Sequence, residues 1–167
     1  MTRRTKLVLE QFLPYRLSMA SNLVSDTVAT AYHAAFGLRI PEWRLVAVIA
    51  EVDAISQFEI CRRTRMDKVT VSRAAIALAG RRLIERAPNP GDQRSHLLAL
   101  TAQGRKLYGR IAPEALAIEA QIFGGFKPAE LRAFVSMLER IDAAAYAVGG
   151  ALDESYGNNS QIFLRYL

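Results

Sequence analysis

The sequence predicts a mainly α fold, α+β in detail: a winged helix-turn-helix set between long N- and C-terminal helices. Three observations predict it. Between Ile84 and Thr101 the chain writes a β-hairpin whose loop, Pro88 to Ser95, is long, polar and basic at its tip. Directly before it stands a helix whose outward positions read as Lys68, Thr70, Ser72 and Arg73. Charge gathers on the same stretch: residues 62–110 hold twelve Lys and Arg against three acids, Asp67, Glu85 and Asp92, a local +9 in a chain of net +6 whose remainder sums to −3. A helix fills a major groove and a hairpin just behind it reaches the adjacent backbone or minor groove, so the pairing implies a polyanionic partner, double-stranded DNA.

At 167 residues the chain suits one domain, or a DNA-binding lobe plus a second helical layer built from both ends. Hydrophobic residues at 51% with charged ones at 23% exclude disorder. No apolar run reaches the roughly 20 residues of a membrane span. After the basic start Met1 to Lys6, Leu7-Val8-Leu9 is too short for a signal-peptide core and is broken by Glu10 and Gln11, so the expected location is the cytoplasm. The single cysteine, Cys61, excludes an internal disulfide framework.

The first helix is expected from Pro14 to about Phe36, with Leu17, Val24, Val28, Ala31 and Ala35 at helical spacing and Gly37 ending it. Pro41 starts a second, apolar on nearly every side through Trp43, Leu45, Val46 and Ile49 and therefore buried. Ser56-Gln57-Phe58-Glu59 matches a capping box and opens a short helix to Arg63, with Arg65 and Met66 as the turn. Asp67 caps the next helix, Lys68 to about Arg82, whose inward stripe is expected at Val69, Ala75 or Ile76, Leu78 or Ala79, and Leu83. Strands at Leu83 to Ala87 and His96 to Leu100 flank a loop that two prolines and a glycine keep out of the ladder. Thr101 caps a helix to about Phe123, which Pro113 should kink or split. A last helix begins at Pro128 and should end at Gly149-Gly150; the apolar end Ile162 to Leu167 is expected to pack on the body or a partner subunit.

On the recognition helix, Arg73 suits a guanine, Thr70 a thymine methyl or phosphate, and Lys68 and Ser72 add donors. In the wing, Arg94 can enter a narrow minor groove, aimed by Asp92 through a bidentate pair. Gln57, Arg63, Arg86 and Ser95 are further phosphate candidates. Cys61 reads as a structural thiol beside Ile60 although Arg62 and Arg63 adjoin it. His33 and His96 complete no metal site, and no nucleophile has a base partner, so no metal, cofactor or catalytic role is expected.

Asp67-Lys68-Val69-Thr70-Val71-Ser72-Arg73, the hairpin tip Asp92-Gln93-Arg94, and Leu100-Thr101-Ala102-Gln103-Gly104 resemble, in this order and spacing, the MarR family of bacterial transcriptional regulators. The resemblance covers roughly residues 14–148. It departs at Gln93, where the family often has Arg, and in the 17-residue tail beyond Gly150. It implies a homodimer, with residues 1–40 and 105–148 as the dimerisation layer beneath a DNA-binding lobe at 41–104 and a tail at 149–167. Such a two-fold dimer sets two reading helices about 34 Å apart on a pseudo-palindromic operator.

The resemblance also implies a ligand cleft between the layers. Arg16, Met19, Asn22, Tyr32 and His33 on the first helix and Trp43 and Arg44 on the second are the candidates, an Arg beside an aromatic wall suiting an aromatic carboxylate or acyl thioester. The competing reading makes Trp43 core and Arg16 and Arg44 surface ion pairs. The expected function is a ligand-responsive repressor, not an enzyme, released from its operator by a small aromatic or phenolic acid. The alternative is an architectural DNA-binding protein without an effector.

Overall fold

The computed structural model describes residues 6–91 and 95–156, with side chains to Gly149. After a 3-10 turn at Leu9–Gln11 come α1 (Leu13–Phe36), α2 (Ile40–Val52), β1 (Ala54–Ser56), α3 (Gln57–Thr64), α4 (Lys68–Gly80), β2 (Ile84–Pro88), β3 (His96–Leu100), α5 (Ala102–Phe123) and α6 (Pro128–Tyr156). This is the predicted mainly α, winged helix-turn-helix class. The chain forms two compact units: Ala20–Ala120, and the described residues up to Met19 and from Gln121 onward. The boundary falls inside α1 and α5.

Within Ala20–Ala120 the core is one apolar cluster. Leu45, Val46 and Ile49 of α2 meet Val71, Ala75 and Leu78 of α4 and Leu98 of β3, all fully buried. Burial of each large aliphatic side chain contributes roughly 1.5–3 kcal/mol. Glu42 is the one charged side chain buried there among the described residues. Its carboxylate accepts from the Arg39 backbone N–H at 2.9 Å and from Arg39 Nη2 at 2.8 Å, which closes the N-terminus of α2. Helix α2 therefore starts at Ile40, with Pro41 in the first turn instead of opening it.

The sheet is antiparallel in the order β1-β3-β2. Ile55 pairs with Leu98 and Arg86 with Leu98 from the other side, so β3 is central. The sequence offered no sign of β1, whose three residues are too few to show alternation. Pro88 does enter the ladder, opposite His96, contrary to expectation. It is tolerated because β2 is an edge strand and a missing N–H costs nothing on the open side.

Three further expectations are corrected. The inward stripe of α4 is Val71, Ala74, Ala75 and Leu78, whereas Val69 and Ile76 are 56% and 60% exposed. Both sets are spaced for a helix, and the larger one fits the face that α2 covers. Helix α5 is not split at Pro113, since one lost hydrogen bond does not end a 22-residue helix. Helix α6 continues through Gly149 and Gly150 to Tyr156, glycine costing only about 1 kcal/mol in a helix interior. The apolar end of the tail lies outside the described residues.

Thr101 joins the wing to α5. Its hydroxyl donates to the Arg82 carbonyl at 2.7 Å and accepts from the Gly104 N–H at 3.0 Å. In the unit from Gln121, α6 exposes Phe134, Val135, Met137 and Ile141.

Candidate nucleic-acid interface

Helix α3 opens with Ser56 Oγ accepting from the Glu59 N–H at 3.2 Å. The reciprocal half of the capping box is absent: the Glu59 carboxylate accepts from Arg62 Nε and Nη2 at 2.8 and 2.7 Å and from Arg63 Nε at 3.2 Å. These two guanidinium groups hold the Glu59 carboxyl down at about 2 from an ordinary 4.5. Arg63, expected as a phosphate contact, is thus partly neutralised by its own helix.

The turn to α4 passes through Arg65 in the left-handed region at φ 57. Asp67 then caps α4, accepting from the Thr70 N–H at 2.8 Å and the Thr70 hydroxyl at 2.6 Å. Those two bonds hold the Asp67 carboxyl below its usual range. The Thr70 hydroxyl proton is committed to Asp67, which leaves its methyl and lone pairs for DNA. Lys68 and Arg73 are exposed, while Thr70 and Ser72 are half-buried on the flanks. A lysine in the first turn opposes the helix dipole by a few tenths of a kcal/mol or more, a local cost that a phosphate-rich partner reverses.

On the core-side face of the wing, beyond buried Leu98, the ladder ends in Arg86, Pro88 and His96. Arg86, Asn89, Ser95 and His96 line a groove of about 400 Å³ with Ser56, Gln57 and Phe58 at the start of α3. Gln57, Arg86 and Ser95, predicted separately, are therefore neighbours; His96 and Phe58, 79% exposed, were missed. Asn89 Nδ2 donates to Ser95 Oγ at 2.8 Å and stiffens the base of the loop. Asp92 and Arg94, with Gln93 between them, lie outside the described residues.

Elsewhere in Ala20–Ala120 three rings stack. Tyr32 of α1 lies 5.3 Å from Trp43 of α2 at 26°, and Trp43 lies 5.9 Å from Tyr108 of α5 at 18°. Tyr108 was not singled out in the sequence, because nothing local marks a half-buried ring contributed by a distant helix. Tyr32 is only 2% exposed. Burial raises its phenol pKa, against the charge of nearby Arg44 and together with that of Asp26. Exposed Arg44 reaches Ser25 Oγ at 3.5 Å and forms no ion pair among the described residues. His33 is exposed, its Nδ1 3.1 Å from the Leu38 carbonyl, and Asn22 is exposed on the same helix. Arg16 and Met19, both exposed, belong to the other compact unit.

A family model described as the MarR family matches residues 36–95, the span from the end of α1 to the end of the wing loop, just short of β3. An uncharacterised Mycobacterium bovis protein is 30% identical over 105 residues, covering 63% of this chain and 73% of its own length. The chain belongs to the MarR family. The chain is also similar to the HTH-type transcriptional repressor NicR of Pseudomonas putida, 29% identical over 86 residues, a match spanning 52% of this chain and only 54% of that repressor. A MarR/EmrR family regulator from Acinetobacter sp. ADP1 shares the fold at a TM-score of 0.78 and 25% identity, over 84% of this chain and 99% of that one. This MarR family protein is accordingly a DNA-binding transcriptional regulator.

Proposed function

We propose that this MarR family regulator is a homodimeric repressor that leaves a pseudo-palindromic operator when a small aromatic or phenolic acid, or its acyl thioester, binds. The outward pairing of Lys68 and Arg73 on α4, ahead of a basic wing, carries the DNA reading. Gln57, Arg63, Arg86 and Ser95 supply backbone contacts, Thr70 and Ser72 flank the reading face, and Asp92 and Arg94 serve the wing tip. A structurally similar Streptomyces coelicolor MarR family regulator has been solved in complex with DNA (TM-score 0.73, 19% identity). Residues 1–40 and 105–148 are assigned to the dimerisation layer and 41–104 to the reading lobe; the exposed apolar residues of α6 support the layer.

The effector reading rests on Tyr32, Trp43 and Tyr108 as an aromatic wall with Arg44 near Tyr32, and on Asn22 and His33 of the same compact unit; Arg16 and Met19 stay candidates on sequence grounds alone. Similar folds include a Bordetella bronchiseptica regulator whose DNA binding is regulated by 6-hydroxynicotinic acid and a Rhodococcus jostii regulator bound to p-coumaroyl-CoA, at 24% and 22% identity. Ligand would favour a dimer whose reading-helix separation mismatches the half-sites, so that affinity falls by population shift.

Titration of a palindromic duplex from the gene's own promoter region against a scrambled one, at fixed salt, tests the operator reading. A repressor gives a specificity ratio of at least roughly 10³; a ratio near unity establishes the architectural alternative. Adding hydroxylated aromatic acids to the preformed complex then tests release.

A further inference from the structure

The leading end of the face that α4 turns outward is apolar. Val69 is 56% exposed and Ile76 60%, although branched side chains are weak helix formers and gain nothing in water. Val69, Arg73 and Ile76 stand at i, i+4 and i+7, on the side opposite buried Val71, Ala74, Ala75 and Leu78. Val69 lies in the first turn, held by the Asp67 cap on Thr70, while Thr70 and Ser72 sit half-buried to either side. The group presented first is therefore an isopropyl with a guanidinium one turn behind it.

The major-groove edge of DNA carries a single apolar group, the C5 methyl of thymine. We infer that Val69 reads a thymine methyl in each half-site, a specificity determinant acting where no hydrogen bond is made, with Arg73 contacting the neighbouring position. Branching at Cβ leaves Val69 essentially one rotamer in a helix, so packing a methyl against it costs little side-chain entropy. Lys68 and Arg73 beside it favour a polyanion over an apolar protein surface as the occupant. The inference rests on α4 being the reading helix.

The test uses the full chain and the duplex it enriches from a random-sequence pool. Each symmetric pair of thymines is replaced in turn by deoxyuridine, which removes the methyl and leaves every hydrogen-bonding edge unchanged. One pair should weaken binding roughly fourfold per half-site, about fifteenfold for the two, from roughly 0.8 kcal/mol per buried methyl-sized group. Val69→Ala should bind the thymine and uracil duplexes equally at that pair and keep every other preference; Val69→Thr, which retains one methyl, should show an intermediate penalty. Unchanged melting temperatures would confirm intact folds. If no pair is sensitive, or Val69→Ala keeps the penalty, the inference is overturned while the operator reading stands. Failure to enrich any sequence would overturn the operator reading and this inference with it.

Discussion

The carbonyl oxygen of Leu83 occupies the space that a Cβ on Gly104 would need. Helix α5 approaches the base of the wing at that point, and only glycine fits. Gly104→Ala should cost about 3 kcal/mol, because backbone on both sides must move. Gly109, one turn and a half further on, has nothing within 4 Å of its would-be Cβ. Gly109→Ala should stabilise by roughly 0.5–1 kcal/mol. Denaturant melts of the two variants should move in opposite directions; equal shifts would refute the close approach.

Acid should loosen the helix-turn-helix. Glu59 and Asp67 are both held below their ordinary range in the folded chain by hydrogen bonds from Arg62, Arg63 and Thr70. The stability they contribute is complete above the unfolded-state value, 4.5 for Glu59, and is lost as pH falls toward the folded value of about 2. Melting temperature followed down that range should fall less steeply in Glu59→Gln. Asp67→Asn, which keeps a good cap without the charge, should flatten the profile while leaving the fold intact at neutral pH. A wild-type profile already flat across this window would contradict the assignment.

The class, the element order and the Asp67 cap were legible because each has a local signature. The phase of α4 was not: Val69 and Ile76 are as apolar as Val71 and Leu78, and only the position of α2 decides which set is covered. Strand β1 escaped because Ala54-Ile55-Ser56 becomes a strand only by lying against Leu97 to Ala99. The groove joining Gln57 to Arg86 and His96, and the Tyr32-Trp43-Tyr108 stack, bring together residues from separate elements, which spacing along the chain does not encode. Pro88, Pro113 and Gly149 misled for the opposite reason, since propensities of a few kcal/mol yield to sheet edges and long helices.

Cys61 is half-buried, and burial pushes its thiol up from the ordinary 9.0. At pH 7.5 iodoacetamide should modify the folded protein more slowly than a small-molecule thiol, and the rate should still be climbing with pH above 9, where an unperturbed thiol levels off. Cys61→Ser should hold operator affinity within about twofold. Fast labelling near neutrality would overturn the reading of Cys61 as a structural thiol.

Arg86 and Arg73 should fail differently. Arg86 lines the groove at the start of α3 and makes no ion pair among the described residues, so Arg86→Ala should weaken specific and scrambled duplexes alike and lower the salt slope by about one. Arg73→Ala should erode preference at particular base pairs, by about 1–3 kcal/mol each. Interchanged phenotypes would reverse the roles of helix and wing.

All ladder pairings of the hairpin end at Pro88 and His96, and β3 is stitched on its other side to Ala54–Ser56. Changes in the loop beyond that last pair therefore need not shift the register of the strands beneath it. Mutational drift is cheap there and expensive at Gly104, so descendants of this regulator can acquire new DNA preferences through the wing while inheriting the same frame.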